Sequence, residues 1–303
     1  MTSFRGVILS EAKNLALFGQ TLRGAALALL LGASAMAGSS PVIVRDAHDT
    51  EMVLIPTVTF TMGDDSSGSD EKPTHGVTVS SFLMDRTEVT YSQFRAFLVE
   101  HPEWRRGMVH PSLADANYLL DWDDLTYPPG KGNYPVVWVS WAAAAAYAAW
   151  RGARLPTEAE WEAAARGGDG RPYPWGWGDL DTAKTVRCNY RTNPPNRDGF
   201  PTTAPVGSFP QGTSPFGVLD MAGNVWEWVA DWHDPDYYAE SPLLDPPGPQ
   251  SGTYRVLRGG SWSVPAQWVQ ATVRLRAYPT RSSDQVGFRC ARSLGTGIRV
   301  PGN

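Results

Sequence analysis

The sequence has very few residues of the types that build thiol or zinc centres. Only two of its 303 residues are cysteines, Cys188 and Cys290. The five histidines are scattered and show none of the spacings that zinc sites use. The sequence also has no nucleophile elbow, P-loop or dinucleotide-binding fingerprint. The common hydrolase, nucleotide-binding and zinc-enzyme functions are therefore not indicated.

Positive charge is scarce as well. The 26 lysines and arginines are outnumbered by 31 aspartates and glutamates, which gives a net charge of −5, and no basic stripe is visible. Binding to nucleic acid or to an anionic membrane surface has no electrostatic support. We expect a monomer whose partner is an unidentified peptide, protein or small molecule.

Long apolar runs are absent except near the N-terminus. Arg23 precedes the apolar run 24–33, which is too short to span a bilayer comfortably. Small residues suited to signal cleavage follow, ending at Ala35 and Ala37. We predict that residues 1–37 are a signal peptide or an N-terminal anchor and that the protein is periplasmic or secreted. A buried N-terminal helix is the alternative.

Turn-forming residues and tryptophan are abundant by contrast. The 30 glycines and 25 prolines favour short elements joined by many turns. The 13 tryptophans favour a compact aromatic core or a stacking surface. We predict one α+β domain over residues 51–293, a linker at 38–50 and a tail at 294–303. Long ordered loops in such a domain need metals, disulfides or aromatic clusters to hold them.

Local signals place three helices and several strands. Capping residues predict helix starts after Thr90, Ser140 and Thr157, the last within a capping box. Downstream of the third helix the signals are strand-like. The strands predicted there are Arg255–Leu257, Thr272–Ala277 and Val286–Ala291. The acidic loop 63–73 lacks the glycine that an EF-hand requires, so we predict a solvated loop.

The chain contains nine short motifs, one after another. They are FTMG at 60–63, DEKPTH at 70–75, DRTEVT at 85–90, PVVWVSW at 135–141, RLPTEAEWE at 154–162, YPWG at 173–176, GNVWEW at 223–228, RGGSW at 258–262 and GFRC at 287–290. Together they resemble the sulfatase-modifying factor family, whose best-known members are formylglycine-generating enzymes. The resemblance implies a loop-rich variant of the C-type-lectin fold, in agreement with the abundance of turns.

The resemblance also implies two structural calcium sites. The positions that match ligands of the first are the side chains of Asn189 and Asp198 and the carbonyls of Tyr190 and Phe200. Those of the second are the side chains of Asp220 and Glu227 and the carbonyls of Gly223 and Val225. Calcium prefers such oxygen donors. Local spacing permits an alternative in which Asp198 only shapes a turn and Glu227 pairs with an arginine.

The family's best-known members oxidise a sulfatase cysteine to formylglycine with a cysteine pair that binds copper and the substrate thiol. An ungapped count from the string at 258–262 places this pair at Val264 and Val269. No cysteine lies between residues 189 and 289. Because valine can neither act as a thiolate ligand nor exchange a disulfide, we expect no copper and no cysteine-dependent activity.

The two cysteines leave two alternatives open. Cys290 matches a structural cysteine of the family, but the usual partner position is Ala165 here. A disulfide between Cys188 and Cys290 is one alternative, and two free buried thiols are the other.

The resemblance places three residues beside the family's active-site groove. Trp226, Ser261 and Arg289 are therefore the candidate pocket residues, unless Ser261 and Arg289 only hold loops together. Two functions follow as hypotheses. The first is an exported maturation factor or enzyme with altered chemistry, similar to the cysteine-free relatives that help mature a pyoverdine-type siderophore. The second is a non-catalytic, calcium-stabilised binding module for a peptide or glycan.

Overall fold

The computed structural model describes residues 40–182, 185–192 and 195–294. The predicted signal or anchor segment 1–37 and all but the first residue of the predicted tail 294–303 lie outside this part. No helix within the described part combines the length and the apolar character needed to cross a bilayer.

Short helices and strands alternate with long loops. The helices are α1 (Tyr91–Glu100), α2 (Trp141–Trp150), α3 (Glu158–Arg166) and α4 (Tyr237–Glu240). The strands are β1 (Ile43–Arg45), β2 (Glu51–Ile55), β3 (Val58–Met62), β4 (His75–Val79), β5 (Phe82–Asp85), β6 (Trp226–Trp232), β7 (Arg255–Arg258), β8 (Arg274–Ala277), β9 (Val286–Phe288) and β10 (Ala291–Ser293). This mixture confirms the predicted α+β class.

The three helix starts predicted from capping residues are present. Thr90, Ser140 and Thr157 each accept a hydrogen bond from the backbone N–H three residues later, at 3.3, 3.2 and 3.1 Å. Glu160 completes the third cap by accepting from the Thr157 N–H at 2.8 Å. Each such cap contributes about 1 kcal/mol to helix stability. The helix α3 ends before Gly167, whose φ of +64° favours glycine.

The strands form two four-stranded sheets and one hairpin. The first sheet has the order β1-β2-β5-β10 and is antiparallel throughout. The hairpin joins β3 to β4. The second four-stranded sheet has the order β8-β7-β6-β9, and its β6–β9 pair is parallel. This last sheet carries the site described below.

Two predicted segments look different in the structure. The described part of the predicted linker, residues 40–50, packs on the domain, because Ile43–Arg45 is strand β1 and the carboxylate of Asp46 accepts from Arg151 at 2.5 Å. The predicted strand Val286–Ala291 is two strands that belong to different sheets. The chain passes from one sheet to the other at Arg289. The Arg289 guanidinium donates to the Asp85 carbonyl on β5 of the first sheet and to Glu227 on β6 of the second four-stranded sheet.

The core consists of two large apolar clusters with α3 inside the molecule. Every residue of α3 is buried, including its three glutamates and Arg166. Buried arginines neutralise two of these glutamates: Arg274 donates to Glu158 at 2.7 Å and Arg258 donates to Glu162. Trp161 donates through Nε1 to Glu227 on β6 at 2.8 Å. The helix therefore fixes β6 by a polar contact as well as by packing.

Candidate functional site

A polar row follows β7 where the chain turns. Gly259 and Gly260 have φ values of +95° and +82°, and a Cβ on Gly260 would lie only 2.7 Å from the Trp268 carbonyl oxygen. Glycine is therefore required for this close approach. Beyond the turn, the hydroxyls of Ser261 and Ser263 donate to Gln285 Oε1 at 3.2 and 2.6 Å.

The row borders a cleft on the second four-stranded sheet. Trp226 and Gln285 both line this cleft, which has a volume of about 340 Å³. Ser261 is fully buried, so it reaches the cleft through Gln285 rather than directly. Gln285 thus links Ser261 to the cleft that Trp226 lines.

Arg289 lies beneath the site and does not border the cleft. Its side chain is fully buried and donates to both oxygens of Glu227, from Nη2 at 2.6 Å and from Nε at 2.7 Å. It also donates to the Leu219 carbonyl at 3.0 Å. Arg289 is therefore removed from the candidate pocket, because its guanidinium forms a buried ion pair with Glu227.

The two positions predicted to match the family's cysteine pair form an apolar surface. Val269 is fully buried in a small cluster with Cys188 and Ala222, and Val264 packs against the same cluster. The 3₁₀ turn Ala266–Val269 packs closely against Gly260 of the glycine turn. Neither position offers an atom that ligates copper or exchanges a disulfide.

The candidate disulfide is not formed. Cys188 and Cys290 are both free and buried, and they lie in different apolar clusters. The backbone N–H of Cys290 donates to Asp85 on β5, whereas Cys188 precedes the first predicted calcium loop. Burial raises the pKa of both thiols well above the ordinary value, so neither is a ready thiolate.

The four residues of the first predicted calcium site lie together. Asp198 Oδ1 accepts from the Phe200 N–H at 3.0 Å, and the Tyr190 N–H also stabilises this carboxylate. Two buried oxygens, Asn189 Oδ1 and Asp198 Oδ2, have no hydrogen-bond partner among the described residues. A buried, unpartnered oxygen is costly unless a cation or water satisfies it, so this donor set fits calcium.

In the second predicted calcium site, Glu227 takes part in a buried ion pair. Glu227 is committed to Arg289 and Trp161 through both oxygens, which is the arginine pairing left open above. Asp220 accepts from the Gly207 N–H at 2.6 Å and lies against Glu88. The carbonyl positions Gly223 and Val225 are close to these residues in sequence, and Glu227 accepts two hydrogen bonds at Oε2 and one at Oε1.

A close backbone approach ties the two predicted calcium loops to each other. Asn189 and Gly223 pair as a parallel bridge, and the Asn224 N–H donates to the Asn189 carbonyl at 2.7 Å. A Cβ on Gly223 would lie 2.0 Å from that carbonyl oxygen. The described residues contain no cluster of three or more histidine, cysteine or acidic side chains that could hold a metal. A cation in the first loop would therefore depend on backbone carbonyls for the rest of its shell.

Several site residues escaped the sequence analysis. Gln285 precedes the string GFRC and had no signal of its own. Asp181 has a buried, unpartnered Oδ1 and accepts from the Tyr190 hydroxyl at 2.8 Å, beside the first calcium loop. Glu88 accepts from the Asn224 amide at 2.8 Å, and burial raises its pKa well above the ordinary value. Only the position of Glu88 inside the string DRTEVT hinted at its role.

The chain is similar to known proteins over its whole described part. The sulfatase-modifying factor enzyme 1-like domain matches residues 40–294. The formylglycine-generating enzyme of Thermomonospora curvata is 39% identical, with 79% of this chain and 92% of that protein covered. The inactive C-alpha-formylglycine-generating enzyme 2 of Mus musculus is 36% identical, with 82% and 88% covered. The structure of PvdO from Pseudomonas aeruginosa is similar with a TM-score of 0.68 and 31% identity, covering 85% of this chain and 100% of that one. The chain therefore belongs to the sulfatase-modifying factor family, with the fold that the nine strings implied.

Proposed function

We propose that this protein is an exported maturation factor of the sulfatase-modifying factor family that works without cysteine chemistry, similar to the pyoverdine-maturation type. One observation carries the proposal. Trp226 and the Ser261–Gln285–Ser263 row lie beside a cleft where the resemblance places the family's groove, while Val264 and Val269 stand at the positions that match the family's cysteines. The similarity to PvdO supports the same assignment.

The groove suits binding and orientation of a substrate. Gln285 accepts from two serines through Oε1 and retains an amide group for a ligand. Tyr254 and Tyr278 supply aromatic surface at the cleft, whereas Trp226 lines it but is almost fully buried. These residues hold and orient a ligand, so the proposed chemistry depends on substrate positioning. Export is part of the proposal and rests on residues 1–37 alone.

One observation favours the second candidate, a calcium-stabilised binding module for a peptide or glycan. The residues that line the cleft in the described structure include no histidine, cysteine or carboxylate. The cleft therefore lacks a strong general base of its own. Binding without turnover is consistent with such a lining.

Deletion of the gene in the strain that carries it is expected to separate the two candidates. A maturation factor leaves an unprocessed precursor in the periplasm or medium when it is absent, whereas a binding module changes no product mass. Untargeted mass spectrometry of both fractions provides the measurement. Complementation with the wild-type gene or with Gln267→Leu, an exposed glutamine outside the cleft, should restore the product. Gln285→Leu should not, and an unchanged product profile in the deletion strain would rule out maturation.

We propose that calcium binds the first loop through Asn189 and Asp198, with the carbonyls of Tyr190 and Phe200. The unpartnered oxygens of Asn189 and Asp198 support this proposal. The cation would tie the loop after Cys188 to the loop that ends at Phe200, which gives it a structural role. For the second predicted site, we propose that any bound calcium uses Asp220 as its side-chain ligand and does not use Glu227.

Calcium is expected to raise the thermal unfolding midpoint. A ligand at a hundred times its dissociation constant stabilises the native state by about 2.7 kcal/mol, which corresponds to a shift of roughly 5 °C or more for a domain of this size. Asp198→Asn should remove most of the difference between melts in calcium and in chelator. Asp64→Asn, in the acidic loop expected to be solvated, should keep it. Glu227→Ala should lower both melts alike, and identical wild-type melts in calcium and chelator would contradict the site.

A further inference from the structure

The wall of the cleft carries two arginines that have no ion-pair partner. Arg276 on β8 and Arg281 in the following loop are exposed and both line the cleft. Neither forms a salt bridge within the described part of the chain. Since no carboxylate lines the cleft, it is a positive region on a chain with a net charge of −5.

An aromatic pair faces the same space. Tyr254 and Tyr278 line the cleft, with ring centroids 4.7 Å apart and hydroxyl oxygens 3.2 Å apart. Tyr278 is 56% exposed, although large aromatic side chains are usually covered. The Arg276 guanidinium lies 5.8 Å from the centroid of the Tyr254 ring. Cationic and aromatic groups are thus presented side by side in the cleft.

The loop at residues 279–283, which carries Arg281, is held in place by hydrogen bonds and does not need to be ordered by a ligand. Backbone carbonyls of Pro279, Thr280 and Ser283 accept hydrogen bonds at 2.8–3.0 Å from the segment that leads into α2. The Ser282 N–H donates to Asp115 at 3.1 Å. A loop held in this way loses little conformational entropy on binding, which favours affinity.

We infer that the cleft binds a carboxylate-bearing ligand with an aromatic group, such as an acidic aromatic segment of a peptide. Guanidinium groups match carboxylates through charge-assisted hydrogen bonds, and the two tyrosines match an aromatic ring. A volume of about 340 Å³ admits a ligand of this size. The inference rests on the proposed use of the groove for substrate positioning and adds the class of substrate. The arginine of a sulfatase-type Cys-x-Pro-x-Arg sequence would meet like charge here.

Isothermal titration of the full mature protein with the peptide acetyl-Asp-Tyr-Asp-amide tests the inference. We expect binding at least tenfold tighter than that of acetyl-Asn-Tyr-Asn-amide, which has the same shape without charge. The affinity for the acidic peptide should fall with rising ionic strength, because exposed charges are screened. Inorganic phosphate, titrated separately, distinguishes a plain anion site from one that also needs the aromatic group.

Matched variants locate the binding. The double variant Arg276→Gln, Arg281→Gln should weaken the acidic peptide at least tenfold and leave the neutral peptide unchanged. Arg95→Gln, an exposed arginine that does not line the cleft, should bind as wild type. Equal binding of the two peptides, wild-type affinity in the double variant, or binding of phosphate without the peptide would overturn the inference. The deletion experiment is independent: a precursor that accumulates in the strain while the purified protein ignores the acidic peptide refutes the ligand class alone.

Discussion

Replacement of Arg289 by methionine is expected to lower the free energy of unfolding by about 3–5 kcal/mol, the usual cost of removing one partner of a buried ion pair. The guanidinium is fully buried and makes two hydrogen bonds to Glu227, at 2.6 and 2.7 Å. Its loss leaves the Glu227 carboxylate with Trp161 as the remaining side-chain donor. The backbone carbonyls that it bridges also lose a donor.

The surroundings make this loss more severe. Glu88 and Asp220 are fully buried beside the pair, and burial raises the pKa of both carboxyls. Arg289 is the cation that opposes their charges together with that of Glu227. Without it, three acidic groups share a buried site and part of the folding free energy is spent on keeping them protonated or hydrated.

Urea and thermal unfolding of Arg289→Met measure the effect, which corresponds to a fall of roughly 10 °C in the midpoint for a domain of this size. Arg45→Met is the matched control, since Arg45 forms ion pairs with Asp49 and Glu51 at the surface and its loss should leave the midpoint nearly unchanged. Adding Glu227→Gln to Arg289→Met should recover part of the stability, because the unpaired charge is removed. A variant that unfolds like the wild type would show that Arg289 is not held in the buried network.

The helices could be predicted because their signals are local. Thr90, Ser140 and Thr157 each cap a helix through a backbone group three residues away, so the sequence alone contains both partners. The strand β6 had no such signal. It carries two buried acids, Glu227 and Asp231, which a sequence pattern does not favour in a core.

Those acids are tolerated because of partners distant in sequence. Glu227 is paired with Arg289, and Asp231 Oδ2 accepts from the Glu158 N–H at the start of α3, at 2.7 Å. The backbone donor at the helix N-terminus satisfies one oxygen of Asp231, while burial and the charge of Glu158 raise the pKa of this carboxyl to about 8. No local spacing contains this information, so the strand became visible only in the folded chain.

The residues of the candidate site could be predicted only in part. The family strings placed Trp226 and Ser261 near one groove, and the structure brings them together through Gln285. Arg289 was placed in the pocket wrongly. Its side chain points inward because the chain crosses from one sheet to another at this residue, and the sequence does not show that crossing. Arg276 on β8 and Arg281 in the following loop had no sequence signal, and their importance comes only from the cleft that they face.

The second large effect is a complete absence of formylglycine formation. The purified protein, incubated with a Cys-x-Pro-x-Arg peptide in air with or without copper, is expected to leave the peptide mass unchanged. Conversion would lower the mass by exchanging one sulfur and two hydrogens for one oxygen, which mass spectrometry detects. The formylglycine-generating enzyme of Thermomonospora curvata, run in parallel, controls for the peptide and the copper supply.

The expectation follows from the position of every thiol in the chain. Val264 and Val269 cannot hold a substrate thiol, and the two cysteines that exist are buried away from the cleft. The thiolate is the reactive form of cysteine. Burial raises the pKa of Cys188 and of Cys290, and nearby carboxylates raise both further, Asp181 for the first and Asp85 for the second. Turnover that is lost in Cys188→Ser or Cys290→Ser would show that one of these thiols reaches the substrate. Turnover that persists in both would require a route to formylglycine that uses no thiol of this protein.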